Sequence, residues 1–141
     1  MPESDLNYLV SLIFSTSKLL REQTFGTGKI RPLPFLRLKA LFFIANNPNS
    51  STKDMASRLN VTAPSATPLV DGLVKLGYVK RIYDKTDRRI TRLAITPKGK
   101  KKLKDGIKQF AMRIKKVLGK LDKEEIDNFI VILEKLSNTN K

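Results

Sequence analysis

The run Asp84-Lys85-Thr86-Asp87-Arg88-Arg89-Ile90-Thr91-Arg92-Leu93-Ala94-Ile95-Thr96-Pro97-Lys98-Gly99 narrows the fold more than any other part of this chain. Tyr78 to Tyr83 is rich in β-branched and aromatic residues, and Ile90 to Ile95 alternates imperfectly between apolar and polar, so the two runs predict paired strands around a charged tip. Thr96 is suited to cap a following helix, with Pro97 at its first position, where a missing N–H costs nothing. The chain therefore passes from hairpin to helix without a linker. Two adjacent arginines at such a tip suit a nucleic-acid groove, because Arg stays charged and its planar fork donates to phosphates, base edges or a narrow groove of negative potential. A solvated surface hairpin would have the same composition, and the tip alone does not choose between the two.

Charge favours the first reading. The chain has 141 residues, about one domain's worth, with 28 Lys and Arg against 13 Asp and Glu, a net charge of +15. This balance predicts a polyanionic partner, nucleic acid first and an anionic membrane surface second. There is no Cys and no His, which removes disulfides, thiol chemistry and soft-ligand zinc sites; no metal or other cofactor is expected. Absence of Cys agrees with a cytoplasmic protein. The polar, acidic start Met1-Pro2-Glu3-Ser4-Asp5 does not read as a signal peptide, and no apolar run approaches the length of a membrane span. The positive charge is localised: residues 100–121 hold nine basic groups against Asp105 alone, whereas residues 1–30 balance and the last twenty turn acidic. One face toward a polyanion and another with a different task is the simplest arrangement.

Apolar residues at Leu6, Leu9, Val10, Ile13, Phe14 and Leu20 predict a first helix over about 5–24, broken at Gly26-Thr27-Gly28. Pro32 and Pro34 open a second, to about Ala45, with Phe35, Leu38, Leu41, Phe42 and Ala45 on one face. Ser51 and Asp54 have capping-box spacing for a third, Lys53 to Asn60. Thr62 begins a fourth, to Leu76, with Ala66, Leu69, Val70 and Leu73 inward and Gly77 after its end. The third and fourth helices with their tight turn make a helix-turn-helix, and the hairpin gives it a wing. From Thr96 a long helix runs to about Leu121, where Leu103, Ile107, Phe110, Ile114, Val117 and Leu121 have coiled-coil spacing. Asp122 and Glu125 cap a last helix over 123–137. The fold class is thus mainly α with a small β-hairpin: a winged helix-turn-helix over 34–99, flanked by terminal helices over 5–33 and 100–137, in a single domain.

The winged unit can close its own core, which leaves the terminal stripes to be buried elsewhere. A second copy is the economical solution, with Leu9, Ile13, Ile107, Phe110, Ile114, Val117, Phe129 and Leu133 at the shared surface; termini folded back onto a monomer are the alternative. Two winged units about a two-fold axis also match two half-sites of a duplex.

The wing and its exit, Asp87-Arg88-Arg89-x-x-x-Leu93-x-Ile95-Thr96-x-x-Gly99, resemble the wing signature of the MarR family of transcriptional regulators. Val61-Thr62-x-Pro64-Ser65-x-Thr67 and Leu69-Val70-Asp71-x-Leu73-x-x-x-Gly77-Tyr78-Val79 resemble that family's recognition helix and its exit. The resemblance extends from about residue 5 to 137. It implies a cytoplasmic homodimer that binds double-stranded DNA, usually a repressor, often relieved by a small aromatic acid. By position it implies Ala63, Ser65, Thr67 and Pro68 on the groove side of the recognition helix and Arg89 in the minor groove. Asp87 would brace that arginine, with Arg88, Lys85 and Lys80 on phosphates. For an acid effector Lys18, Arg21, Arg37 and Arg113 are the cations to consider, each equally readable as a surface charge.

Two features depart from the family pattern. The recognition helix carries no Arg, Lys, Asn or Gln on its outward side before Lys75, so bidentate base contacts are missing. Pro68 falls in mid-helix, where it removes a hydrogen bond and clashes with the preceding turn at about 3 kcal/mol or more. A kinked long helix and a shorter helix starting at Ser65 both accommodate it. The bare helix also admits a second function, a low-specificity architectural DNA-binding protein. No catalytic set is visible, and the lack of an aromatic platform argues against single-stranded RNA.

Overall fold

The computed structural model describes residues 1–25 and 33–138. The order is α1 (Glu3–Phe25), α2 (Leu33–Asn46), α3 (Thr52–Leu59), α4 (Ala63–Lys75), β1 (Val79–Tyr83), β2 (Thr91–Ile95), α5 (Pro97–Leu118) and α6 (Lys123–Asn138). These are the elements the sequence predicts, in the same order. The expected turn at Gly26-Thr27-Gly28, Pro32 and the last three residues lie outside the described residues.

Local chemistry sets most boundaries. Ser51 Oγ accepts from the Asp54 N–H at 3.1 Å while the Asp54 carboxylate accepts from the Ser51 N–H at 2.9 Å, a reciprocal capping box at the start of α3. Asn60 takes the left-handed conformation (φ 54°) that ends α3 and makes the tight turn. Thr62 stands at the N-cap of α4 but gives it no side-chain cap; its hydroxyl donates to Ser65 Oγ at 3.0 Å instead. The helix continues through Pro68, so the longer of the two arrangements is the one adopted, and the Pro64 carbonyl forgoes its usual donor. At the other end Gly77 adopts φ +78°, the Gly77 N–H reaches the Val74 carbonyl and the Tyr78 N–H reaches the Leu73 carbonyl, each at 2.9 Å, a Schellman motif.

β1 and β2 pair antiparallel, with Val79 opposite Ile95 at the base and Tyr83 opposite Thr91 near the tip. An isolated bridge from Ser50 to Leu93, closed by the Leu93 N–H to the Ser50 carbonyl at 2.8 Å, ties the loop before α3 to this hairpin. Around it lies one core: Ala40, Leu41 and Ile44 of α2, Met55, Ala56 and Leu59 of α3, Ala66, Leu69, Val70 and Leu73 of α4, with Val79 and Leu93 from the hairpin. The faces of α3 and α4 are those expected. On α2 the expectation is corrected: Phe42 is 55% exposed, and the buried line is Ala40, Leu41 and Ile44. α2 is apolar nearly all round, so periodicity could not say which side the hairpin and α3 would cover.

Thr96 Oγ1 accepts from the Gly99 N–H at 3.0 Å and donates to the Gly77 carbonyl at 2.6 Å, so one hydroxyl caps α5 and pins it to the end of α4. A Cβ on Gly99 would stand 2.1 Å from the Tyr78 carbonyl oxygen, and one on Gly106 would stand 2.6 Å from Leu38 Cδ1. Together with Leu103, these glycines make the side of α5 that docks on the winged unit. The backbone accordingly divides inside α5, into one unit of Arg31–Gln109 and another of Met1–Ile30 with Phe110–Lys141. α5 ends at Leu118, three residues before Leu121, and Asp122 with Glu125 forms a second reciprocal capping pair, each N–H accepted at 2.9 Å, that starts α6. Within the terminal unit Leu9, Ile13, Phe129 and Leu133 are exposed, Ile13 at 60%. Phe110, Ile114 and Val117 are half-buried.

Candidate nucleic-acid interface

The wing tip is built by two carboxylates. Asp84 accepts from the Thr86 N–H (2.8 Å), the Thr86 hydroxyl (2.7 Å) and the Asp87 N–H (3.3 Å), which closes the turn. The Thr86 bonds hold its carboxyl below the usual carboxylate range. Asp87 then accepts three bonds from Arg89: Nε at 3.1 Å, the backbone N–H at 3.0 Å and Nη2 at 3.2 Å. The Arg89 side chain is the main cause that lowers the Asp87 pKa. Arg89 is nevertheless 90% exposed along its side chain. Its fork is held at the base and presented outward, the geometry a groove contact requires. Arg88 and Lys85 stand beside it, exposed, and Lys80 is exposed on β1.

On α4, Ala63, Ser65, Thr67 and Pro68 are all exposed, whereas Ala66, Leu69, Val70 and Leu73 are buried; only Pro68 lies directly opposite that stripe, and Ser65 and Thr67 flank it. Part of their hydrogen-bonding capacity is already used. Ser65 Oγ accepts from Thr62, and Thr67 Oγ1 turns back toward the Ala63 carbonyl at 3.4 Å. The outward surface is therefore largely methyl groups and proline rings.

Two contacts tie the hairpin to the rest of the winged unit and were not anticipated. Arg81 on β1 forms an ion pair with Asp71 on α4. Arg81 shares the inner face of its strand with buried Val79, and a charge on an inward position needs a partner; that alternation is the signal that could have found it. Arg92 on β2 donates to the Asn49 carbonyl at 3.0 Å, across 43 residues, which no local pattern reveals.

An open cleft of about 540 Å³ lies between Leu38, Phe42 and Phe43 of α2, Leu59 of α3 and Ile107 of α5, with Lys39, Arg58, Asn46 and Asn47 at its border. The cations named from the sequence do not line it. Arg37 is half-buried against α4 instead, 3.6 Å from where a Cβ on Gly72 would stand, and Lys18, Arg21 and Arg113 are not among the lining residues.

The MarR family profile matches residues 32–90, the span from α2 to the wing tip. The HTH-type transcriptional repressor YetL of Bacillus subtilis is 31% identical over 97 residues, which are 69% of this chain and 58% of YetL. The chain belongs to the MarR family. It spans somewhat more than half the length of that curated relative. A MarR family protein from Bacillus stearothermophilus has the same fold, with a TM-score of 0.77 at 22% identity over 100% of this chain and 99% of that one. Streptococcus pneumoniae FabT, solved in complex with DNA, aligns with a TM-score of 0.64 at 20% identity over 98% and 96% of the two chains. Within the MarR fold the braced Arg89 and the outward side of α4 belong to one winged helix-turn-helix unit. In this MarR chain that helix offers no Arg, Lys, Asn or Gln before Lys75.

Proposed function

We propose that this chain is a sequence-dependent double-stranded-DNA-binding transcriptional regulator, a repressor rather than an enzyme, that acts in the cytoplasm as a homodimer. α4 enters the major groove with Ala63, Ser65, Thr67 and Pro68 foremost, and Arg89 enters the minor groove while Arg88, Lys85 and Lys80 meet phosphates. The observation that carries this reading is the arginine fork braced by Asp87 at an exposed hairpin tip. A repressor among the relatives and a DNA complex among the similar folds support it. The homodimer reading is supported by the exposed apolar residues of α1 and α6, including Leu9, Ile13, Phe129 and Leu133. The cleft bordered by Lys39 and Arg58 suits a small aromatic acid effector, apolar walls taking the ring and a cation the carboxylate.

The bare outward side of α4 favours poor direct readout, so affinity should come mainly from phosphates and from the wing's response to groove width. The expected result is a preference for A·T-rich duplexes, a steep loss of affinity with salt, and a modest ratio of specific to non-specific binding. The test compares wild type, Arg88→Ala/Arg89→Ala and Ser65→Ala/Thr67→Ala on A·T-rich and G·C-rich duplexes at two salt concentrations. Sequence preference should vanish with the wing pair. If the wing variant keeps the preference and the Ser65/Thr67 variant loses it, α4 reads bases and the wing reading is wrong. A footprint without any discrete protected segment would favour the architectural alternative, which the same bare helix supports.

A further inference from the structure

α5 carries a second basic surface, separate from the wing. From Lys98 to Lys108 the helix holds six lysines, Lys98, Lys100, Lys101, Lys102, Lys104 and Lys108, against Asp105 alone. All six are exposed, and none makes an ion pair among the described residues. Gly99, Leu103 and Gly106 form the docked side of this half of α5. At 100° per residue, Lys101, Lys104 and Lys108 fall on the opposite side and point outward. Lysines at i,i+3 and i,i+4, such as 101 with 104 and 104 with 108, repel one another by tenths of a kcal/mol each. An ordinary solvated face balances the two signs; here Asp105, four residues after Lys101 and three before Lys108, offsets one charge, and the surplus of positive charge that remains is relieved by an array of anions.

Its position separates it from the reading surface. Lys98 lies at the end of α4, its Nζ 5.5 Å over the Tyr78 ring. It is therefore a whole helix away, about 18 Å at 1.5 Å per residue, from Ala63 at the start of α4. The wing tip is likewise five residue pairs, about 17 Å, from the hairpin base where α5 begins. Lysines are compact charges that bind phosphates without reading bases. The exposed large apolar residue in this stretch, Ile107, belongs to the cleft beside Leu38 and Phe42, so the basic side has no apolar anchor of the kind an interfacial membrane helix buries.

We propose that the Lys101, Lys104 and Lys108 side of α5 is a sequence-independent binding surface for a second segment of duplex DNA, which lets the protein hold two duplexes together. The proposal rests on the DNA-binding reading above. The experiment loads full-length protein onto an immobilised duplex that occupies both winged units of the proposed dimer and ends there, then measures capture of a second, labelled short duplex of unrelated sequence. Lys101→Gln/Lys104→Gln/Lys108→Gln is compared with a charge-matched control, Lys18→Gln/Lys123→Gln/Lys135→Gln; Gln keeps nearly the helix propensity of Lys, and circular dichroism checks folding. The α5 variant should lose capture of the second duplex, and its slope of log affinity against log salt for that duplex should fall by about three, one per lysine. The control should lose little. Equal losses from the two variants would reduce the effect to net charge and overturn the proposal. It is also overturned if the α5 variant keeps capture but no longer adsorbs to phosphatidylserine vesicles that wild type binds. Arg88→Ala/Arg89→Ala tells the two readings apart. Loss of sequence preference with salt-sensitive capture retained supports both surfaces, whereas wild-type preference in that variant sinks the wing reading and leaves the α5 result to stand or fall by its own control.

Discussion

Asp71 of α4 and Arg81 of β1 form an ion pair that joins the helix proposed for the major groove to the first strand of the wing proposed for the minor groove. Asp71 is 58% exposed and Arg81 26%, so solvent screens the pair and its part in stability is small. Its geometric part is larger in the proposed complex, because it ties together the two elements that would enter neighbouring grooves. Arg81→Ala should change unfolding free energy by no more than about 1 kcal/mol, yet reduce duplex affinity about tenfold, a loss of about 1.4 kcal/mol in binding. Denaturant titration and fluorescence anisotropy on one preparation check both. Parallel losses of stability and affinity would show that the pair merely holds the fold.

Asp87→Asn should weaken DNA binding although it makes the protein more basic. A model based on total charge predicts the opposite sign. The Asp87 carboxyl is lowered by Arg89, so the brace is intact above the usual carboxylate range and is lost only as pH falls through the lowered folded-state value. The affinity ratio of wild type to Asp87→Asn should therefore stay constant from about pH 8 to about pH 5 and shrink only below that. A ratio that changes near neutrality would mean that another group controls the wing.

Gly99→Ala should be more damaging than Gly106→Ala. At 99 the added methyl meets the Tyr78 backbone carbonyl, which accepts from the Thr96 N–H at 3.0 Å and is thereby held in place; at 106 it meets the end of the Leu38 side chain, which can rotate. The first should cost at least the upper end of about 1–3 kcal/mol and the second the lower end. Chemical denaturation of the two variants decides the order.

Pro68→Ala should stabilise the chain. The alanine N–H can supply the donor that the Pro64 carbonyl lacks within α4, and the ring clash with that turn disappears. Up to about 3 kcal/mol is expected from the difference in helix propensity. A lower melting temperature in this variant would show that the proline ring packs favourably enough to outweigh its backbone cost.

The proposed dimer should be sensitive to charge on the terminal helices and insensitive to the wing. Ile114→Asp and Phe129→Asp should dissociate or unfold it, and Arg88→Ala/Arg89→Ala should leave it intact. Light scattering at micromolar concentration reads the mass directly, and a wild-type monomer there would refute the dimer.

What the sequence by itself determined follows from short range. The Ser51–Asp54 and Asp122–Glu125 capping boxes, Thr96 with Pro97 and the Gly77 stop are all made by groups within a few residues of each other, and the equally local Asp87–Arg89 brace was implied by the family resemblance. Their chemistry is written in local spacing, and so the order of helices and strands was legible, together with the charged tip. What only the tertiary structure decided involves groups far apart in the chain. Arg81 finds Asp71 ten residues away, Arg92 finds Asn49 across 43, and Leu93 bridges to Ser50. The buried side of α2 was undecidable from a helix apolar nearly all round, and the cleft lined by Lys39 and Arg58 is assembled from three helices, α2, α3 and α5, that no local pattern brings together. The same holds for α5. Its heptad spacing reads as one seam, but Gly99 and Gly106 let its first half approach the winged unit closely, and the division falls after Gln109. A glycine in a helix announces only the absence of a side chain; which backbone or side chain fills that space is settled by packing.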